Sequence, residues 1–315
     1  MNTNNFNPES LLNQAFSNMK LVDVANADAV ATLLDRFGLR WEVSKQPLVL
    51  PTGEDTGFFG IVREDNRKTF ATCKDGYVPY QNSELAELLI RISEKTGYDI
   101  HSGGQFNGGG KVFMQLNTGN SIQDIGKDRT QVKGYITGIN GHDGTTALKW
   151  GNANITISCS NTFASASRQL QQSARHTASL HDRVEASIRQ INGIVEAEKS
   201  LFERFIQLSN TPVTKTHIAK IVSSITDVDI NLHPSQAEEK YSTYALNRSA
   251  ELLTSINREM SGKGDTLWGL FSGVTHYTSH VLPVPKRDNA RLESKYTGSG
   301  LDIDNKAFAL ISSFN

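Results

Sequence analysis

The spacing of apolar positions changes character along this chain, and the change sets the expected architecture. Up to about residue 178, most apolar runs are short and alternate with polar residues, as strands with one buried face require. Trp41–Leu50, Phe58–Glu64 and Thr69–Lys74 read as strands joined by the turns Thr52-Gly53-Glu54-Asp55 and Glu64-Asp65-Asn66-Arg67. Tyr98–Gln105 and Lys111–Leu116 read as a hairpin across Phe106-Asn107-Gly108-Gly109-Gly110. Val132–Ile139 and Ala153–Cys159 form a second pair through Gly141-His142-Asp143-Gly144. Three helices interrupt them: Ala25–Gly38, a helix from Asn82 or Ser83 through Lys95, and Asn161–Gln172 after a strand.

From Leu180 the period becomes three and four. Val184, Ile188, Ile191, Val195, Phe202 and Phe205 predict one long helix over Leu180–Ser209, with Glu198 interrupting its apolar seam. Shorter helices are expected over Thr214–Ser224, from Pro234 to about Met260, over Leu267–Val281 and over Asn305–Ser313. The reading is α+β: an antiparallel β-hairpin-rich N-terminal half, then a helical C-terminal half with one long helix. The expected organisation is a polar N-terminal segment (1–24), a sheet-rich α+β domain (25–178) and a helical region (179–315) on the same core.

Composition adds little until it is divided by region. The chain of 315 residues is 37% hydrophobic and 21% charged, with a net charge of −1, which is ordinary for a globular protein. Residues 101–190, however, carry nine Lys and Arg against five Asp and Glu. A basic middle in a neutral chain points to phosphates or an acidic partner. Cys73 and Cys159 sit far apart in strand-like runs and read as reduced thiols of a cytoplasmic protein. No apolar run is long enough to span a bilayer, so no membrane partner is expected. No P-loop, Rossmann glycine fingerprint, HExxH or GxSxG occurs, and no cofactor is called for.

Several separated words are distinctive: Tyr77-Val78-Pro79-Tyr80-Gln81-Asn82, a Gly-Gly pair before Lys111–Leu116, His142-Asp143-Gly144, Cys159-Ser160-Asn161-Thr162, Arg175-His176-Thr177, and Trp268-Gly269-Leu270-Phe271 with Val274-Thr275-His276-Tyr277. In order and spacing they resemble the phage/plasmid-like protein family, domain-of-unknown-function family 932, from about Trp41 to Ile311. Phe271-Ser272-Gly273 stands where that family's pattern has a Tyr-Asn pair, and His276 where an acidic residue is usual. The resemblance implies a mobile-element setting and no particular reaction.

The function expected from the residues is binding of single-stranded nucleic acid by a homo-oligomer, as an accessory to recombination or annealing. Lys111, Lys127, Arg129, Lys133, Lys149, Arg168 and Arg175 are the candidate phosphate contacts. Phe106, Phe113, Tyr135 and Trp150 are candidates for base stacking; Phe113 reads as core, and Trp150, beside Lys149, as the exposed one. The reading requires Lys133, Lys149, Arg168 and Arg175 to share an exposed face with Trp150. An enzymatic alternative, a metal-dependent hydrolase or nuclease, uses His142, Asp143 and His176. A third alternative is a host-interaction protein contacting its partner through Leu180–Ser209. Competing with the site readings are plain structural ones: Asp143-Gly144 as a hairpin turn, and Asn161 or Thr162 as a helix N-cap.

Overall fold

The computed structural model describes residues 27–156, 161–164, 171–188, 191–287 and 289–314. Helix α1 (Ala27–Phe37) buries Ala29, Leu33 and Leu34 on one stripe. Strands β1 (Val43–Val49), β2 (Asp55–Arg63) and β3 (Thr69–Cys73) form a three-stranded antiparallel sheet. The open edge of β1 is partly closed by a side chain: the Gln81 amide donates to Val43 O (2.9 Å) and accepts from Val43 N (3.0 Å). Pro47, four residues on, has the same outward parity, so its missing N–H falls on the open edge and removes no ladder bond.

Helix α2 (Asn82–Thr96) begins with Glu84 accepting from Gln81 N (2.6 Å) and stops at Gly97 in the left-handed region. Its buried face, Leu85, Leu88, Leu89 and Ile92, lies on a larger antiparallel sheet. That sheet contains β4 (Asp99–Phe106), β5 (Lys111–Ile125), β6 (Thr130–Gly141), β7 (Leu148–Thr156) and β8 (Asn161–Ala164) in this order, with β9 (Gln171–Ala174) also paired to β7. Helices α3 (Leu180–Ile188) and α4 (Ile191–Asn210) continue over the same face as α2.

The helical half comprises α5 (Lys215–Thr226), α6 (Pro234–Lys240), α7 (Thr243–Lys263), α8 (Leu267–His276) with a π-turn over Tyr277–Val281, α9 (Ala290–Thr297) and α10 (Ser299–Ile311). Among the described residues, three apolar clusters hold the elements together. The first lies between the two sheets and α1–α4. The second joins the far end of β5–β6 to α4, α5, α7, α8 and α10. The third, smaller cluster joins Phe106, Phe113, Tyr135, Ile139 and Ala153 to Tyr296 and Leu301. Inside the helical half, Lys295 of α9 is ion-paired with Asp304 of α10, and Thr278 bonds to both at 2.7 Å.

Two expectations about elements change, over 161–172 and over 234–260. Asn161–Gln172 is not a helix: β8 and β9 occupy its ends along the outer edge of β7, and residues 165–170 lie outside the described residues. The open N–H and C=O row of β7 outcompetes the helix-forming residues. The Asn161/Thr162 N-cap reading falls with it, and Cys159 lies outside the described residues. The segment 180–209 is helical over α3 and α4, with residues 189–190 between them undescribed. The helix expected from Pro234 stops at Tyr241, and Ser242, whose hydroxyl accepts from Ala245 N (3.2 Å), starts another. Helix α9 was not anticipated.

Candidate nucleic-acid interface

Strand alternation sorts the middle of the chain onto the two faces of the six-stranded sheet. On β6 the even positions face α2 and α4. Gly138 lies under Leu85 and Leu89, where a Cβ would come 2.7 Å from Leu89 Cδ2. Trp150 pairs directly with Gly138, so its side chain points to the same face as Leu85 and Leu89, and it is 0% exposed. The expectation that Trp150 is exposed is therefore corrected: it is core.

The odd positions face the other way. Lys133 on β6 and Lys149 on β7 share this second face, both half-buried. Lys149 pairs with Ile139, six residues from Lys133, which separates the two ammonium-bearing positions by about 20 Å. Arg175 is exposed just past the end of β9, where Ser173 pairs with Lys149. Among the described residues, Lys133, Lys149 and Arg175 have no ion-pair partner. Arg129 is exposed in the β5–β6 turn and pairs with the equally exposed Asp124 at 3.3 Å. Arg168 lies outside the described residues.

Lys111 is on the second face but is already engaged. Its ammonium lies 2.6 Å from Glu293 and 3.7 Å from Asp143, and Glu293 also pairs with Arg287. Burial pushes the Glu293 carboxyl up, but the bonds from Arg287 and Lys111 prevail and hold it below its ordinary value. The reading of Lys111 as a free phosphate contact is corrected: Glu293 occupies it.

Two further groups on this face were missed by sequence reasoning. His101 lies beside Tyr135, ring centroids 5.3 Å apart. Its pKa is lowered by burial and then by the charges of Arg36 and Lys133. Arg36, whose guanidinium bonds to His101 O (3.3 Å), therefore adds a cation at the Lys133 end. No local pattern signals this, because α1 and β4 are far apart in sequence.

The enzymatic candidates behave differently. His142 is 0% exposed, against Trp41 and Phe70. Asn82 Nδ2 donates to Leu39 O and Trp41 O, which leaves its Oδ1 to accept from His142 Nε2 (3.0 Å). Burial, aided by His176 and Arg63, pulls the His142 pKa down to about 3. His176 donates from Nδ1 to Val78 O (3.1 Å) and stacks on Tyr77. Its pKa is also lowered, mainly by burial. Asp143 makes the turn expected of it, accepting from Thr145 N (3.0 Å), and faces Lys111. The two histidines thus lie near each other in neutral form, and Asp143 is turned away from them. Among the described residues, no three His, Cys, Asp or Glu side chains are grouped to hold a metal ion.

Three of the distinctive words, Tyr77–Asn82, His142–Gly144 and Arg175–Thr177, therefore meet in a polar knot, whereas Trp268–Tyr277 lies in the helical half. Val78 N donates to His176 O (3.1 Å), Asn140 Nδ2 to Tyr80 O (2.6 Å) and Tyr77 OH to Gly141 O (3.4 Å). A profile for a domain of unknown function, DUF932, matches residues 69–297, which span all these contacts. The chain belongs to the DUF932 family. No curated protein and no solved structure matches it. Within the DUF932 region, the contacts of Tyr77–Asn82 with His142 and His176 lie on the packed side of the sheet, and the cations without an ion-pair partner among the described residues lie on the opposite side. A groove of about 430 Å³ lies elsewhere, between Leu34, Arg40, Trp41, Glu42, Glu64, Asp65 and Ser83, and its three carboxylates do not suit a phosphate. Among the described residues, no helix is long and apolar enough to cross a membrane.

Proposed function

We propose that this DUF932 protein binds single-stranded nucleic acid on the sheet face that carries Lys133 and Lys149. One observation carries the reading: Lys133, Lys149 and Arg175 lie on or beside one face and have no carboxylate partner among the described residues. Unpaired ammonium and guanidinium groups about 20 Å apart along a strand suit a flexible chain of phosphates. Arg36 strengthens one end and Arg129 adds an exposed cation at the β5–β6 turn. The aromatic residues expected to stack on bases, Phe106, Phe113 and Tyr135, are buried under α9 and α10 as the face stands, so the reading is supported by the cations and not by the rings. The exposed face shared with Trp150 that the sequence reading required is absent, because Trp150 is buried on the opposite side of the sheet; the proposal is therefore restricted to the cations Lys133, Lys149 and Arg175. An equilibrium titration of a fluorescently labelled oligonucleotide at several salt concentrations tests it. Affinity that weakens steadily with salt supports the reading, and single strands should bind more tightly than duplex. Absence of binding at low salt refutes it.

A further inference from the structure

The middle of the basic face is covered by the chain itself. Helices α9 and α10 lie across it, and they present two particular groups. The Tyr296 ring stacks on Phe113 (centroids 6.4 Å apart, planes at 22°), and Phe113 stacks in turn on Phe106 (4.9 Å, 11°). The Tyr296 hydroxyl accepts from Gln115 Nε2 (2.7 Å). One turn earlier on α9, the Glu293 carboxylate takes Lys111. A flat ring on the aromatic row and an anion on the lysine beside it are what a nucleotide of a single strand would bring.

The hairpin's attachments fall into two sets. Its link to the helical half is Thr278, which bonds to both members of the hairpin's own buried Lys295–Asp304 pair, together with Ala307 and Ile311 in the second apolar cluster. Its link to the sheet is smaller. It includes Tyr296 and Leu301 in the third cluster, the bond from Gln115 Nε2 to Tyr296, packing on β8, the Glu293–Lys111 pair and a bond from Asn289 Nδ2 to Gln105 O (3.1 Å). The contact that must open is the smaller one, between the hairpin and the sheet, while the rest of the helical half stays anchored to the far end of β5–β6 through the second apolar cluster.

We propose that the α9–α10 hairpin is an internal mimic of the strand, with Glu293 standing for a phosphate and Tyr296 for a base. It blocks the centre of the face until nucleic acid displaces it. This proposal rests on the binding reading above. The flanking cations Lys133, Lys149 and Arg175 make the first contact, and the full footprint, including Lys111 and Phe113, becomes available when the hairpin lifts.

Hydrogen exchange on the full chain tests this, with and without a saturating single-stranded oligonucleotide. Amides of 290–311 should lose protection on binding while those of α2 keep theirs. In parallel, Glu293→Gln should bind the oligonucleotide roughly tenfold more tightly, because one charge-assisted bond holding the hairpin down is lost. Glu251→Gln, which removes an exposed acid on α7, should bind like the wild type. Undiminished protection across 290–311 at saturation overturns the mimic and leaves the binding reading intact, as does wild-type affinity in Glu293→Gln. Failure of both the wild type and Glu293→Gln to bind at low salt overturns the two together.

Discussion

Lys149 and Trp150 are neighbours in the chain and occupy opposite worlds in the fold. Lys149 faces the basic side of the six-stranded sheet, and Trp150 faces α2 and is completely buried. The two sides are built by different rules. On the packed side, small residues make room for large ones: Gly138 for Leu89, and Gly134 for Glu198, whose carboxylate would lie 2.3 Å from a Cβ there. On the basic side, cations are left without partners at the margins, and the centre is closed by a helix hairpin through Tyr296 and Glu293. The difference teaches that the polar residues that stand out in the sequence and the candidate binding residues need not coincide. Here Tyr77–Asn82, His142 and His176 brace the packed side, and the cations lie on the other.

The comparison can be broken most forcefully from the packed side. Trp150→Ala should cost about 4 kcal/mol of stability through the cavity it leaves, read by denaturant unfolding. If instead it weakens nucleic-acid binding with little loss of stability, the assignment of faces is wrong. His142 gives the next largest effect. Its folded-state pKa lies below the unfolded value, so its stabilisation is complete above the unfolded pKa and is lost as pH falls from there toward the folded value. Between pH 6.5 and 4 this amounts to about 3 kcal/mol. His142→Gln should show a flatter stability profile over that window in thermal melts.

Glu198 sharpens the comparison at smaller amplitude. Its carboxylate is buried on the packed side, accepting from Asn152 Nδ2 (2.5 Å) and Asn120 Nδ2 (2.6 Å). Burial raises its pKa despite those donors. A carboxyl with a raised folded pKa contributes stability below its unfolded pKa, and loses it as pH rises through the folded value. Glu198→Gln should therefore gain in melting temperature relative to the wild type as pH rises from 4 to 8. A constant difference across that range would contradict the assignment.

Much of the fold was legible because it rests on local patterns. The strands β1–β3, the capped helix α2 and the helical second half all follow from period and turn chemistry. Asp143-Gly144 is the turn its residues predict. What was not legible depends on tertiary pairing or on parity. Strands β8 and β9 form because β7 offers an edge, which no pattern within 161–172 encodes. The β5–β6 hairpin runs on past Leu116 through irregular pairing at Asn117/Ser121 and Ile122/Ile125, where alternation is broken. Trp150 was grouped with Lys149 by adjacency, although adjacent strand residues point to opposite faces. Lys111 was read as free because its neutraliser, Glu293, lies 182 residues away on a helix the sequence pattern did not announce.

The central claim is that the margin of the basic face binds single-stranded nucleic acid. It is tested most directly by comparing two charge-reversed proteins over a salt series. One carries Lys133→Glu, Lys149→Glu and Arg175→Glu. The other carries Lys199→Glu, Lys215→Glu and Lys240→Glu, three exposed positions on α4, α5 and α6. The account predicts that the first loses about 2 from the slope of log affinity against log salt, at about 0.7 per lost phosphate contact, while the second keeps the wild-type slope to within one such contact. Equal slopes for the two variants would contradict it.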